Sequence, residues 1–463
     1  MTISDKEPDY LNRRNFLKLL SLSAGATFLS ACQKALFLTS PSPEPSIPSN
    51  IKKPNIVLII SDDQTYESLG RMPYMGTQTN NWYKFTQAFT NVSLCCPSRA
   101  AMLTGQFSHH NQVEDNMKAD RFNTEDNLIT RLNDSGYHTA LIGKYLNGWH
   151  NLGPLATPPG WDHFAAFVAT KFYDYQIFED GFVTSYGSEA ADYSTDVVGQ
   201  KALDFIATAQ EPFFLQFSPY AAHGPFTPAP RHLGADVGAF IKDESFNEAD
   251  VSDKPLWIQG LPTRIEASME TMRLNQYRQL LSLDEWVKEI NDLLVQKGIL
   301  KNTVIIYVSD NSLAFGEHRL IGKTGGYDIC NHIPLLIHYP DHRGRPIERL
   351  VSNVDIAPTI AELAGIQLPG SDGISLVPLL EKPANLNRKG LLIHWAGEES
   401  VFVTPAFWGI IEPEWKYMEL ATGEKELYDR INDPLELNNV AGKPEYAAIQ
   451  AQLQADLQAL LSE

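Results

Sequence analysis

The chain has 463 residues and a formal net charge of −19 at pH 7, from 37 Lys and Arg against 56 Asp and Glu. A hydrophobic fraction of 43% is typical of a globular protein, and the length suffices for a large domain and a smaller one. The acidic balance argues against a nucleic-acid binder, and 4 cysteines are too few for a disulfide framework.

The N-terminal residues 1–32 have the features of an export signal. Arg13 and Arg14 precede an apolar stretch over residues 19–31 that is too short to span a bilayer. Such an arginine pair is typical of twin-arginine signals, and the stretch ends in Leu-Ser-Ala-Cys, which is similar to a bacterial lipobox with Cys32 as the lipidated residue. An ordinary secretory signal peptide is the alternative. We expect an exported bacterial protein, periplasmic or at the cell surface, that touches a membrane only through this lipid anchor.

Residues 33–52 include a Ser- and Pro-rich run that predicts a flexible linker. We therefore expect the folded part to begin near residue 53. A large domain over residues 53–377 is followed in this interpretation by a smaller C-terminal subdomain over residues 378–463. The C-terminal subdomain has strand-like segments near 390–394 and 415–417 and a final helix, which predicts an α+β unit with a short antiparallel sheet.

Short apolar runs predict strands that are buried on both faces, as in parallel sheets. These runs lie at 56–60, 138–143, 213–217, 303–308 and 335–338. Amphipathic segments alternate with them, and the longest predicts a helix over 275–297. The Pro- and Gly-punctuated segment 234–263 predicts loops. Alternating strands and helices predict a doubly wound α/β sheet.

Polar side chains directly follow two of these strands. Asp62 and Asp63 come after the first strand, and Asp310 and Asn311 come after the strand at 303–308. Open α/β sheets bind ligands at the carboxyl ends of their strands, so these positions are candidates for a functional site. Adjacent carboxylates can bind a metal, but acidic pairs after strands often serve only as caps or turns.

The segment 95–105 reads Cys-Cys-Pro-Ser-Arg-Ala-Ala-Met-Leu-Thr-Gly and predicts a helix that ends at Gly105. Cys95 would begin this helix, where free N–H groups and the positive end of the helix dipole favour an anion. Arg99, one turn later, would add a cation. The alternative is that the cysteine is simply a small buried apolar residue.

The same segment resembles the signature of type I sulfatases, Cys-x-Pro-Ser-Arg followed by Leu-Thr-Gly, and the resemblance spans nearly all of residues 54–441. It implies an alkaline-phosphatase-like α/β sandwich, with a large mixed, mostly parallel sheet flanked by helices and a smaller C-terminal α+β subdomain. It also implies that a formylglycine-generating enzyme oxidises Cys95 to formylglycine. The hydrated aldehyde would attack sulfur through one hydroxyl, and its second hydroxyl would later release sulfate.

The resemblance further implies a divalent cation, held by Asp62, Asp63, Asp310 and Asn311. Hard oxygen donors suit Ca²⁺ first and Mg²⁺ second. The sequence shows no His/Cys cluster of the kind that would indicate zinc.

The remaining family positions concern the nucleophile and the sulfate group. Arg99 and Lys144 would hold the hydrated nucleophile, while His223 and Lys323 would bind sulfate oxygens. His223 is the better candidate for protonating the leaving alcohol, because an imidazole pKa near about 6.5 allows proton exchange at neutral pH. His318, in a Gly-Glu-His segment, is a further candidate for the substrate pocket.

One position departs from the common sulfatase pattern. Many sulfatases have a histidine two residues after the first active-site lysine, and here Leu146 occupies that place. Gly-Lys-Tyr-Leu-Asn at 143–147 instead resembles N-acetylglucosamine-6-sulfatases and their relatives. His109, His110 and His150 lie nearby in sequence, and the sequence does not decide which group replaces the missing base.

These features predict a hydrolase for sulfate esters of small molecules or glycans, with a glucosamine-type 6-O-sulfate as one candidate substrate. A phosphonate or phosphate ester hydrolase of the same superfamily is an alternative, because such esters carry similar charge. A lipid-anchored binding protein without catalytic activity is a second alternative. The intact set of polar residues around Cys95 argues against it.

Overall fold

The computed structural model describes residues 53–382, 388–397 and 402–462. The proposed export signal, its Cys32 and the linker up to residue 52 lie outside this described part. Its strands, in chain order, are β1 (Asn55–Ser61), β2 (Tyr83–Phe89), β3 (His138–Gly143), β4 (His163–Phe167), β5 (Tyr175–Glu179), β6 (Phe182–Tyr186), β7 (Phe213–Ser218), β8 (Thr303–Ser309), β9 (Ala314–Phe315), β10 (Ile321–Gly322), β11 (Leu335–His338), β12 (Pro346–Ser352), β13 (Leu391–Trp395), β14 (Phe407–Ile411), β15 (Trp415–Leu420) and β16 (Lys425–Asp429).

The α-helices of the described residues range from single turns to one long helix. They are α1 (Cys95–Thr104), α2 (Ser108–Asn111), α3 (Leu128–Asp134), α4 (Ser194–Thr208), α5 (Leu256–Gln259), α6 (Glu266–Gln296), α7 (Asp328–Asn331), α8 (Ile356–Ala364), α9 (Val377–Glu381) and α10 (Ala447–Leu460). Within the described residues, no helix combines the length and apolar character that crossing a membrane requires.

A ten-stranded sheet in the order β12-β2-β11-β8-β1-β7-β3-β4-β5-β6 forms the centre of the fold. The strands β8, β1, β7, β3 and β4 run parallel. Strand β11 is antiparallel to both of its neighbours, and β5 and β6 continue the other side of the sheet in antiparallel fashion. The predicted large, mixed and mostly parallel sheet is therefore confirmed.

Helices cover both faces of this sheet, because its central strands are apolar on both sides. In β1, Ile56, Leu58 and Ile60 pack into one core together with α1, α3 and α8. Val57 and Ile59 of the same strand pack into a second core with α4 and α6. A three-layer arrangement follows directly from a strand with no polar face.

A separate antiparallel sheet, in the order β13-β14-β15-β16, forms the C-terminal part of the fold, and α10 packs on it. This agrees with the predicted α+β subdomain. Outside these sheets one helix differs from expectation. Helix α6 begins at Glu266, well before residue 275, where the sequence predicted its start.

The turn after β3 depends on a glycine. Gly143 has φ +116, and a Cβ atom there would lie 2.1 Å from the carbonyl oxygen of Ser218 on β7. We expect Gly143→Ala to lower the free energy of unfolding by about 3 kcal/mol or more, from backbone strain together with this contact. Urea denaturation measures the change.

The control for this substitution is Gly234→Ala, because Gly234 is exposed and a Cβ atom there would meet nothing within 4 Å. Its effect should stay within about 0.5 kcal/mol. Equal stability of the two variants would contradict the role given to Gly143.

Candidate active site

The candidate site lies at the edge of the large sheet where the parallel strands β1, β3, β7 and β8 end. The loops that leave these strands carry Asp62, Lys144, His223 and Asp310, respectively. Because the strands are parallel, their carboxyl ends meet at one edge and bring together residues that are far apart in sequence. Helix α1 begins at the same place with Cys95.

Cys95 is the first residue of α1 and is 1% exposed. Its Sγ lies 2.8 Å from Nζ of Lys323 and 3.6 Å from Oδ1 of Asp62. Burial raises the pKa of the Cys95 thiol to about 12, although Lys144 and Lys323 act in the opposite direction. An unmodified thiol at this position is therefore neutral at ordinary pH and is a weak nucleophile.

Buried carboxylates face buried cations around this thiol. Nζ of Lys144 donates to Oδ2 of Asp62 at 2.5 Å, and Nε of Arg99 donates to Oδ2 of Asp310 at 2.9 Å. Burial by itself raises the pKa of Asp62, but Lys144, His223 and Arg99 outweigh it, so the pKa lies below its usual value. The Asp62 carboxylate is therefore charged and available to a cation.

Asp63 completes the set of carboxylates. Its Oδ1 accepts hydrogen bonds from Nζ of Lys323 and from Nδ2 of Asn311, both at 2.6 Å. Burial raises the pKa of Asp63, yet the charges of Lys323 and His223 hold it below the usual value. The same ion pair raises the pKa of Lys323 well above its ordinary value, against the effect of burial.

The donor set fits a divalent cation. Ligand atoms of Asp62, Asp63, Cys95 and His223 lie within 4.8 Å of one another. Oδ1 of Asn311 is buried and has no hydrogen-bond donor among the described residues, which leaves a neutral oxygen beside the carboxylates. Asp310 stands next to this set, but its oxygens accept from Arg99 and from the backbone N–H groups of Asp63 and Asn311. Clustered carboxylate and amide oxygens suit Ca²⁺ or Mg²⁺.

His223 is held in one orientation by its own loop. Its Nδ1 lies 2.5 Å from the carbonyl oxygen of Gly224, and its ring stacks on Tyr220 with ring centroids 4.7 Å apart. Nδ1 carries a proton in this arrangement, because only an N–H can donate to a carbonyl. The other ring nitrogen, Nε2, faces the site and lies 3.4 Å from Oδ2 of Asp63. The geometry presents Nε2 of His223 to a ligand near Cys95.

A cavity of about 280 Å³ opens beside Lys144 and His223. Its wall also contains residues 145–150 from the loop after β3, residues 167–170 at the end of β4, and Tyr220. Trp149 and Tyr220 give it aromatic surface. The sequence did not indicate β4 or the part of the wall at residues 167–170, because the segment around His163–Phe167 has no clear strand pattern of its own.

Of the histidines considered from the sequence, His150 alone lines this cavity with His223. The ring of His109 lies against Trp408 of the C-terminal sheet, and Nδ1 of His110 lies 2.8 Å from Oδ2 of Asp372. His318 is 2% exposed; its Nδ1 lies 2.7 Å from Glu248 and its ring stacks on Tyr327. His318 is therefore buried among these partners and does not line the cavity, and its part in the substrate pocket stays a prediction.

Comparisons with known proteins match this chain to sulfatases. The family model Sulfatase matches residues 54–366, and a second model, described as N-sulphoglucosamine sulphohydrolase, C-terminal, matches residues 316–463. The chain is 29% identical to the N-acetylglucosamine-6-O-sulfatase of Bacteroides thetaiotaomicron over 87% of this chain and 85% of that protein. It is 32% identical to the N-acetylglucosamine-6-sulfatase of Homo sapiens over 76% of this chain and 69% of that protein.

Solved structures share the fold of this chain. One protein, in complex with its substrate D-glucosamine-2-N,6-O-disulfate, superimposes with a TM-score of 0.78 at 26% identity, covering 88% of this chain and 97% of that one. A phosphonate monoester hydrolase of Agrobacterium radiobacter gives a TM-score of 0.72 at 22% identity over 88% and 95%, which shows a shared fold alone. The Sulfatase model covers more than half of the chain and includes the cysteine motif and both polar strand ends. The chain therefore belongs to the sulfatase family.

Proposed function

We propose that this protein hydrolyses a sulfate ester of a carbohydrate, and that a 6-O-sulfated glucosamine is the first substrate to test. The observation that carries this proposal is the position of Cys95, at a helix N-terminus and in contact with both Lys323 and Asp62. Relatives named N-acetylglucosamine-6-sulfatases and a neighbour solved with a glucosamine disulfate support the choice of sugar.

The proposed reaction requires a formylglycine and a divalent cation, which the unmodified chain does not supply by itself. Formylglycine made from Cys95 would provide a hydrated aldehyde as the nucleophile toward sulfur. A cation, Ca²⁺ first and Mg²⁺ as the alternative, would polarise the sulfate oxygens and make the nucleophile more acidic. Asp62, Asp63, Asp310 and Asn311 are the proposed ligands of that cation, and a formylglycine-generating enzyme is the proposed maturation partner.

The chain's own residues would bind and orient the ester. Arg99 and Lys144 lie beside Asp62 and place positive charge around the nucleophile. Nζ of Lys323 lies 2.8 Å from Sγ of Cys95 and Nε2 of His223 lies 3.4 Å from Oδ2 of Asp63, and both groups would bind sulfate oxygens. His223, when protonated at both nitrogens, can also donate the Nε2 proton to the alcohol oxygen as the oxygen–sulfur bond breaks. The cavity beside Lys144 and His223 would receive the sugar.

The shared fold with a phosphonate monoester hydrolase supports a second candidate, hydrolysis of a phosphonate or phosphate ester at the same site. A substrate screen separates the two functions. Turnover of 6-O-sulfated glucosamine without turnover of a phosphonate monoester supports the sulfatase, and the reverse result supports the alternative. Binding of sulfated sugars without turnover of either ester would indicate a binding protein.

We expect the peptide that contains Cys95 to show sulfur replaced by oxygen and two hydrogens lost, when mass spectrometry is applied to active protein from cells that contain a formylglycine-generating enzyme. Cys95→Ala should fold normally and lose all detectable turnover, since it cannot be converted. Cys96→Ala, at the adjacent buried cysteine, is the matched control and should keep the modification and activity. Full activity in Cys95→Ala would overturn the mechanism.

Addition of Ca²⁺ should stabilise the protein, because the folded state binds the cation and the unfolded chain does not. At a concentration of 100 times Kd the gain is about 2.7 kcal/mol, which a thermal or urea melt detects. Asn311→Leu removes the buried unpartnered oxygen and should abolish this gain together with activity. Asn438→Leu, at an exposed position, should retain both.

EGTA treatment of the wild type should abolish turnover in a way that Ca²⁺ reverses. A wild type that gains no stability from either Ca²⁺ or Mg²⁺ would contradict the proposed cation site, as would a full gain in Asn311→Leu.

We also propose that the protein is exported and anchored through lipid on Cys32. Relatives that include extracellular sulfatases support an extracytoplasmic location. Cys32→Ser should lose incorporation of labelled fatty acid and appear in the soluble periplasmic or culture fraction. Cys96→Ala should keep the label, and label retained by Cys32→Ser would exclude this anchor.

A further inference from the structure

Helix α6 presents polar side chains to the core instead of to solvent. Arg273, Gln276 and Gln279 follow one another at intervals of three residues on the face that also holds Leu280 and Leu283, and all are buried. Burying an amide costs free energy unless hydrogen bonds compensate, and an apolar side chain would pack here at lower cost. Packing alone therefore does not account for these buried polar side chains.

Each of these side chains contacts a loop of the proposed active site. Nε2 of Gln276 donates to the carbonyl oxygen of Asp63 at 2.8 Å. Nη2 of Arg273 donates to Oε1 of Glu317, between β9 and β10, at 3.1 Å and to the carbonyl oxygen of Leu313, in the loop after β8, at 3.5 Å. Nε2 of Gln279 lies 3.3 Å from the carbonyl oxygen of His223. One rigid helix thus contacts the loops that follow β1, β7 and β8.

Gln279 has a particular relation to His223. Its Nε2 also lies 3.4 Å from the carbonyl oxygens of both Pro225 and Thr227, so that its amide spans the loop from 223 to 227. Within that loop the carbonyl oxygen of Gly224 accepts a hydrogen bond from Nδ1–H of His223, which turns Nε2 toward the site. Oε1 of Gln279 has no hydrogen-bond donor in the described part of the chain, so the amide acts there only as a donor.

We propose that Gln279 is a positioning residue that fixes the loop of His223, so that Nε2 of this histidine meets the leaving oxygen of the substrate. This inference rests on the proposed function, because it assigns the proton donated to the leaving alcohol to His223. Gln279 does not touch the substrate. It acts through hydrogen bonds to the carbonyl oxygens of residues 223 and 225. These carbonyls lie on either side of the Gly224 carbonyl, which orients the ring of His223.

The test is Gln279→Met, which keeps the length of the side chain but removes the donor. Gln296→Met, the same substitution at an exposed position of α6, is the control. With a 6-O-sulfated glucosamine, kcat of Gln279→Met should fall about 100-fold while KM changes less than about threefold, because a misplaced acid slows bond breaking. With 4-nitrophenyl sulfate, whose leaving group needs little protonation, the loss in kcat should be less than about fivefold.

Two further measurements separate positioning from loss of structure. The stabilisation by Ca²⁺ should be the same in Gln279→Met and the wild type, because the cation ligands are held by other contacts. Gln279→Asn keeps the amide but shortens its reach, and should show the same selective loss of kcat. It also serves as the test variant if Gln279→Met does not fold. If the wild type cleaves the sugar sulfate but not 4-nitrophenyl sulfate, the test rests on the sugar sulfate alone: kcat of Gln279→Met should fall while KM stays nearly unchanged.

Equal losses on the two sulfates, a change in KM with unchanged kcat, or no loss at all would overturn the role of Gln279. A wild type that has formylglycine and bound cation yet cleaves neither sulfate would overturn the proposed function, and this inference with it. The two failures are distinguishable, because only the second appears in the wild type.

Discussion

The geometry of the active site depends on the hydrogen bonds that the buried carboxylate of Asp310 accepts. It accepts from Arg99 of α1 at 2.9 Å and from the backbone N–H of Asp63, after β1, at 3.1 Å. One side chain after β8 thereby fixes the start of the helix that carries Cys95 against the end of the central strand. Removing either partner of a buried ion pair leaves an uncompensated charge, which costs several kcal/mol. The geometry of the nucleophile and the stability of the sheet edge are thus coupled.

Charge balance explains how an acidic protein can bind an anion. Around Cys95, the carboxylates of Asp62, Asp63 and Asp310 face the cations of Arg99, Lys144 and Lys323 at contact distance. These charges offset one another, so a divalent cation added to the carboxylates leaves a local positive excess. That excess lies in a buried site, where it is poorly screened and favours a sulfate group, although the whole chain carries a charge of −19.

The sequence was sufficient to predict those strands whose local apolar pattern matches their burial in the fold. β1 and β8 are apolar on both faces, and their polar ends converge as predicted. Strand β2 was not apparent, because Tyr83–Phe89 mixes aromatic with polar residues and becomes a strand by pairing with β11 and β12. The first turns of α6 were missed for a related reason: buried Arg273 interrupts the apolar period there. The orientation of His223 depends on the path of its loop, which no sequence pattern encodes.

The burial of Cys95 has a consequence for how an active molecule comes into being. Every residue of α1 is buried, and a modifying enzyme needs its target side chain exposed. If Cys95 is converted to formylglycine, the conversion must occur on the nascent or locally opened chain. Folding and oxidation then compete in time. A cell that synthesises the chain faster than it oxidises it would accumulate a stable, correctly folded and inert population, and the fraction of working enzyme would be decided during biosynthesis.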